Sequence, residues 1–348
     1  MWTSSTGRVI RALRRRSLRS GGGWWRSSST IWSGRAGGML SAIVPNRDGR
    51  ELLAQTLPAL LEALKFWGGR WELIVVDDGS SDGSPEFVRE NFPGVKVVAL
   101  CKSQGFIGAV HAGMREARGD LLLLFNNDVL PERDFLPLLV EHFSKPNTFA
   151  SSPAVGAWLD DGRLIKPDLP FGSPVEALLA PGGAGLFDRA KFEALKGFDP
   201  IFKPFYGEDL DLSFRAWRRG WRVVLDPRSV VYHREATTIR RFYDRLYVER
   251  CMWRSFILFG WKNYLDWGYL GRSVLGLMRT FADDAMVCGG PIVSVAALSA
   301  LLRMPQALAR RVSERAEATR GDREAVALMR VCRLPWGIER EESAPRGR

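Results

Sequence analysis

Glu72-Leu73-Ile74-Val75-Val76-Asp77-Asp78-Gly79-Ser80 is the stretch whose reading decides the fold. Leu73 to Val76 is apolar without a polar alternate, which is the pattern of a parallel strand covered on both faces. Two carboxylates and a Gly-Ser turn end it. The pattern recurs on either side. Leu40 to Val44 runs into Pro45-Asn46, and Leu121 to Phe125 runs into Asn126-Asn127-Asp128. Between these runs, Leu52, Leu53, Leu57, Leu60, Leu61 and Leu64 recur at helical spacing despite Pro58. Pro85 to Asn91 reads as a short helix, Val95 to Leu100 as a strand, and Phe106 to Arg118 as a helix. Alternating strands and helices predict an α/β fold, a mostly parallel central sheet flanked by helices. Such sheets take ligands at the carboxyl ends of their strands, where Asn46, Asp77 and Asp128 all fall.

Beyond Pro131 the pattern loosens. Residues 151–187 mix Pro, Gly and short apolar pieces and end in Pro181-Gly182-Gly183-Ala184-Gly185. Helices are expected from about Asp188 to Lys196 and from about Asp209 to Arg219, with short strands at Val223–Leu225 and Val230–Tyr232. From Arg240 the chain reads as helical to its end. The domain division this gives is a basic tail over 1–38, one domain over 39–260 and a helical C-terminal extension over 261–348.

The formal charge of +11 is concentrated at the start, because residues 1–38 hold eight Arg and no acid. The basicity therefore argues little for nucleic-acid binding, and no nucleic-acid partner is expected. That tail has the composition of disorder. It resembles an organellar transit peptide, and a start placed too early, with Met39 the true one, fits as well. The four cysteines form no C-x-x-C pair, which disfavours zinc and disulfide frameworks and points to a reducing cytosol. Ala285 to Leu302 carries no charge but is broken by Gly289, Gly290 and Pro291, so a buried or interfacial helix is favoured over a membrane span.

Several groups carry candidate chemistry. Asp77-Asp78 reads either as a polar turn or as a carboxylate pair that accepts hydrogen bonds from a nucleoside. Asp128 ends the most hydrophobic strand, where a carboxylate needs solvent, a partner or a metal, and its hard oxygens suit Mg2+ or Mn2+. His233 closes a later strand as a possible second ligand, whereas His142 reads as structural. Glu208-Asp209 opens a helix, where capping competes with a general-base role for Asp209. Asp211 is the nearest competitor for that role.

Taken in order, Pro45-Asn46, Val76-Asp77-Asp78-Gly79-Ser80, Gly105-Phe106, Ala117-Arg118-Gly119-Asp120 and Asn126-Asn127-Asp128 resemble the first half of a family 2 glycosyltransferase. Gly197-Phe198-Asp199, Gly207-Glu208-Asp209-Leu210-Asp211-Leu212-Ser213-Phe214-Arg215 and Tyr232-His233 resemble its second half, in the branch of rhamnosyltransferase-like enzymes of bacterial surface glycans. The resemblance covers about residues 40–260.

It implies a GT-A fold and an inverting, metal-dependent transfer from a nucleoside diphosphate sugar to a glycan or lipid-linked acceptor. Pro45 and Asp77 would hold the nucleoside, with Asp78 nearby and Asn46 among the donor-binding residues, and Asp128 and His233 the Mg2+ or Mn2+. Asp209 would be the base. Gly183, Ala184 and Gly185 would line the sugar pocket, with Gly105, His111, Asn127 and Glu208 also around the donor. Ser103, His111 and Cys251 stand where the family often has Asn. The first two put the donor's identity in question. The basic, aromatic C-terminal helices suit peripheral contact with the inner face of an anionic membrane, on an otherwise cytoplasmic protein.

Two alternatives compete. A sugar-nucleotide-forming nucleotidyltransferase needs a Gly-rich basic phosphate loop, and Pro45-Asn46-Arg47-Asp48-Gly49 is too short and too acidic for one. A non-catalytic carbohydrate-binding relative has to be set against an intact Asp128, Asp209 and His233.

Overall fold

The structure is a computed structural model and describes residues 38–234, 242–272, 274–276, 278 and 292–324. The expected tail over 1–38 lies almost wholly outside the described residues. Strands β1 (Met39–Asn46), β2 (Arg70–Asp77), β3 (Lys96–Ala99) and β4 (Leu121–Phe125) pair in parallel in the order β3-β2-β1-β4. Helices α1 (Arg50–Trp67), α2 (Ser84–Asn91) and α3 (Gly105–Glu116) connect them. The continuous apolar runs are explained by burial on two faces. Leu40, Ala42, Val44, Leu73, Val75, Leu121 and Leu123 pack with α1 on one side. Ile43, Ile74, Val76, Leu122 and Leu124 pack with α3 on the other.

The sheet then continues as β9-β6-β10-β5, through β9 (Ala184–Asp188), β6 (Thr148–Trp158), β10 (Arg222–His233) and β5 (Val129–Pro131), with two-residue strands β7 (Leu164–Ile165) and β8 (Val175–Glu176) at its margin. β6 and β10 are parallel to each other, and β9 runs antiparallel between β4 and β6. The mixed α/β architecture expected from sequence is the one observed, but residues 151–187 correct the expectation of loose structure. They contain β9 and most of β6, both central to the sheet. Pro153 hides β6 from a sequence reading, because proline is rare inside a sheet. It is tolerated here because it pairs with Asp226, where the β10 register shifts. That same shift makes one bulged strand of the two short ones expected at Val223 and Val230.

Helices α4 (Phe135–Glu141), α5 (Arg189–Ala194) and α6 (Glu208–Arg218) cover the second half. His142 Nε2 donates to the Asp226 carboxylate at 2.9 Å, a structural contact. The C-terminal part is helical where described, with α7 (Arg245–Asn263), α8 (Ile292–Leu301) and α9 (Met304–Glu317), although it is broken by non-helical residues after Asn263. Among the described residues no single helix is long and apolar enough to cross a membrane.

Candidate functional site

The carboxyl ends of β1, β2 and β4 meet at one hydrogen-bonded chain. Asn46 Nδ2 donates to Asp77 at 3.1 Å, and Asn127 Nδ2 donates to Asn46 Oδ1 at 2.7 Å. Asp77 also accepts from the Ser80 backbone at 2.9 Å, so its carboxylate closes the turn after β2. Gly79 turns the chain at φ 74°, a conformation that favours glycine, with Ser103 backbone where a Cβ would need space. Asp78 accepts from Ser103 Oγ (2.6 Å) and from the backbone N–H groups of Gln104 (2.6 Å) and Gly105 (2.9 Å), which fixes the start of α3.

These strand ends border a cavity of about 380 Å³. Pro45, Asn46, Asp78, Gly105, Asn127, Asp128, Gly183, Ala184, Glu208, Asp209 and His233 all reach it. Three residues of the expected set do not line it. Asp77 is turned into the strand-end network just described. Gly185 sits on β9 with the Phe187 ring and the Pro181 carbonyl where a side chain would go. His111 lies on the far face of α3 and packs beneath Gly197. Burial there, with Arg115 and Lys203 nearby, holds its imidazole below the usual histidine range.

Asp128 and His233 are 105 positions apart in sequence and adjacent in space because of strand register. Val129 pairs with His233 across β5 and β10, and the Arg234 N–H donates to the Asp128 carbonyl at 3.0 Å. His233 Nε2 consequently lies 3.4 Å from Asp128 Oδ1. Asp128 is buried, and its Oδ1 has no hydrogen-bond partner. A buried carboxylate oxygen without a donor is costly. A hard divalent cation fits this donor set, since Mg2+ is commonly held by one or two protein groups, with phosphate and water oxygens completing its shell. Groups of three or more potential ligands do not occur among the described residues, so the protein alone would supply only part of the shell.

Glu208 and Asp209 face the same cavity from the first turn of α6. Gly207, at φ 87°, lets the chain turn sharply into that helix. Desolvation, then the Asp209 charge, pushes Glu208 up to about 8. Desolvation pushes Asp209 up to about 6, against the backbone N–H groups of Leu210 and Gly182. Burial thus disfavours charge on both carboxyls, more strongly on Glu208 than on Asp209. Glu208 Oε2 is buried without a hydrogen-bond partner. Because the folded state binds the Glu208 proton more tightly than the unfolded chain, stability falls as pH rises from about 4.5 to about 8. Glu208→Gln is accordingly expected to melt higher than the parent at about pH 9 and equally at about pH 5, by a few degrees in thermal melts.

Asp211 is corrected as a competitor for the base. It is fully buried and accepts from Arg215 Nε, Lys262 Nζ and Asn263 Nδ2, each at 2.8 Å. Burial alone would raise its pKa, but Arg215 and Lys262 outweigh that and hold it low. Lys262 Nζ also reaches Asp199 at 2.8 Å, so α7 is tied to α6 through a buried cation.

Sequence reasoning missed an aromatic and cationic wall. Arg47 lies over the Phe242 ring at 4.6 Å, and Phe106, Phe205, Tyr206 and Tyr243 line the cavity with them. The aromatic residues around 242–253 were visible in the sequence. Nothing local indicated that they fold back onto β1.

Residues 41–195 match the family described as Glycosyl transferase family 2. The chain is 34% identical over 106 residues to undecaprenyl-phosphate 4-deoxy-4-formamido-L-arabinose transferase of Edwardsiella ictaluri, covering 29% of this chain and 33% of that protein. It is 26% identical over 232 residues to beta-monoglucosyldiacylglycerol synthase of Synechocystis sp., covering 62% and 46% respectively. The chain thus spans less than half the length of these curated relatives. A mannosyltransferase from Pyrobaculum calidifontis, solved with GDP-Man and Mn2+, superposes with a TM-score of 0.49 at 17% identity, over 90% of this chain and 97% of that one. The family match and the sheet of parallel strands flanked by helices together give the expected GT-A fold. The match to the glycosyl transferase family 2 model lies over residues 41–195, which run from within β1 through β9.

Proposed function

We propose that this protein is an inverting, metal-dependent glycosyltransferase that moves a sugar from a nucleoside diphosphate sugar to a hydroxyl of a glycan or lipid-linked acceptor, in bacterial surface-polysaccharide synthesis of the rhamnosyltransferase type. The single observation that carries the reading is the meeting of a buried carboxylate, Asp128, whose Oδ1 accepts no hydrogen bond, with His233 and Asp209 at one cavity. In this reading residues 39–260 form the transferase unit and 261–348 a C-terminal extension.

The strand-end residues Pro45, Asn46 and Asp78 bind the nucleoside side of the donor. Asp128 and His233 would hold a divalent cation, which would supply charge neutralisation for the departing diphosphate. Asp209 accepts the proton of the acceptor hydroxyl as that oxygen bonds to the anomeric carbon from the face opposite the diphosphate. Glu208 lies beside it, and burial disfavours a second negative charge there. Phe106, Phe205 and Tyr243 exclude water from the reacting atoms.

Two features of the family relatives support a lipid-linked acceptor. The names of the Edwardsiella and Synechocystis proteins refer to a polyprenyl phosphate and a diacylglycerol lipid. A thermal-shift panel of nucleoside diphosphates and sugar nucleotides tests the reading. At least one is expected to raise the melting temperature, and to raise it further with Mn2+, as binding to the native state requires. A panel with no stabilising member, with or without Mn2+, would count against a sugar-nucleotide enzyme.

A further inference from the structure

Helices α8 and α9 meet at a bend of 65° and present one apolar stripe outward. Val295, Leu298 and Leu301 are exposed at three-residue spacing on α8. Leu302 at the bend is 79% exposed, and Leu308 and Val312 continue the stripe along α9. The opposite faces are already satisfied, because Val293, Ala297, Ala300 and Ala307 are buried against the rest of the molecule. Contiguous exposed leucines of this kind mark an interaction surface.

Charge selects what that surface meets. Helix α8 has no ionisable residue. The acids of α9, Glu314 and Glu317, are both taken by Arg219. Arg315 on α9 is exposed, and so is Arg272, which lies over the Tyr269 ring, while Arg311 of α9 lies over the ring of exposed Trp267. An apolar stripe edged by arginine, with its acids turned to Arg219, suits a helix lying in the headgroup region of an anionic bilayer. A two-fold pairing of the same face would instead set Arg315 of each copy toward the same surface.

The bend is also bolted to the cavity. Arg303, between Leu302 and Met304, donates to the carbonyls of Ile201 (2.7 Å) and Lys203 (3.0 Å). That segment continues into Pro204, Phe205 and Tyr206, which line the cavity. We infer that the α8–α9 bend, which Arg303 ties to the segment before the Pro204–Tyr206 wall of the cavity, is a docking surface for an anionic lipid bilayer. This deepens the proposed function, on which it rests for the lipid-linked acceptor.

The test is co-flotation of the full chain with vesicles of phosphatidylcholine alone or mixed with phosphatidylglycerol. The eight arginines of residues 1–38 are present in parent and variant alike, so the comparison of the two isolates the stripe. The parent is expected to float with the mixed vesicles and far less with phosphatidylcholine. Leu298→Glu/Leu302→Glu changes two exposed side chains, so its melting temperature should match the parent's while its vesicle partitioning falls at least tenfold. Equal flotation of parent and variant would overturn the proposal, as would a parent dimer in equilibrium sedimentation that the variant dissolves. A parent that floats while no nucleoside diphosphate stabilises it would support the docking surface and overturn the donor reading alone.

Discussion

Asp209→Asn is expected to lower transfer about 10³-fold, within the range that a positioned general base contributes. The asparagine is nearly isosteric and keeps the opening of α6, so the fold and the strand-end network should be unchanged. Stabilisation by a nucleoside diphosphate should survive, because Asn46, Asp78 and Asp128 are untouched. The pH profile gives a second reading. Desolvation raises Asp209 to about 6, so parent kcat/KM should climb as pH rises through that value, where the carboxylate ionises. The base is active only when ionised, and the limb should be absent from the residual activity of the variant. A loss of less than tenfold, or an unchanged acid limb, would remove Asp209 from the role. Asp211 could not replace it, being enclosed by Arg215, Lys262 and Asn263.

Lys262→Met carries the second large expectation. Its ammonium is 1% exposed and lies 2.8 Å from both Asp199 and Asp211. Removing one partner of a buried ion-pair cluster costs about 3–5 kcal/mol. The lower figure applies because Arg215 still serves Asp211 and Arg310 still serves Asp199. The corresponding fall in melting temperature is about 6–12 °C. Lys262 also positions the base, since Asp211 and Asp209 share the first turns of α6. The folded variant should therefore show reduced kcat with nucleotide affinity retained, and Lys262→Arg should restore part of it. Loss of stability with kcat intact would restrict Lys262 to a structural role.

The legible part of the fold was the part whose residues decide structure locally. Leu73–Val76 and Leu121–Phe125 read as buried strands because burial on both faces removes the polar alternate. Ala184–Asp188 and Thr148–Trp158 did not, because β9 is short and glycine-containing and β6 holds Pro153 opposite a bulge. Those strands acquire their conformation from neighbours on both sides. The candidate site divides in the same way. Asn46, Asp78 and Asp128 could be placed from strand ends alone. His233 reaches Asp128 only through the β5–β10 register, which is a non-local pairing. His111 was misplaced because helical rotation aims it away from Gly105, Phe106 and Ala109, which do line the cavity. Arg47 and Phe242 meet across almost the whole domain, and no spacing rule connects them.

The central claim is that Asp128 and His233 share one cation at the mouth of the cavity that Asp209 enters. Anomalous scattering from crystals grown with Mn2+ and a nucleoside diphosphate tests it most directly. The account predicts a manganese peak between the Asp128 carboxylate and the His233 imidazole, contacted by the diphosphate and lost in Asp128→Ala. A bound nucleotide with its manganese on other protein groups, or with none near Asp128, would contradict it.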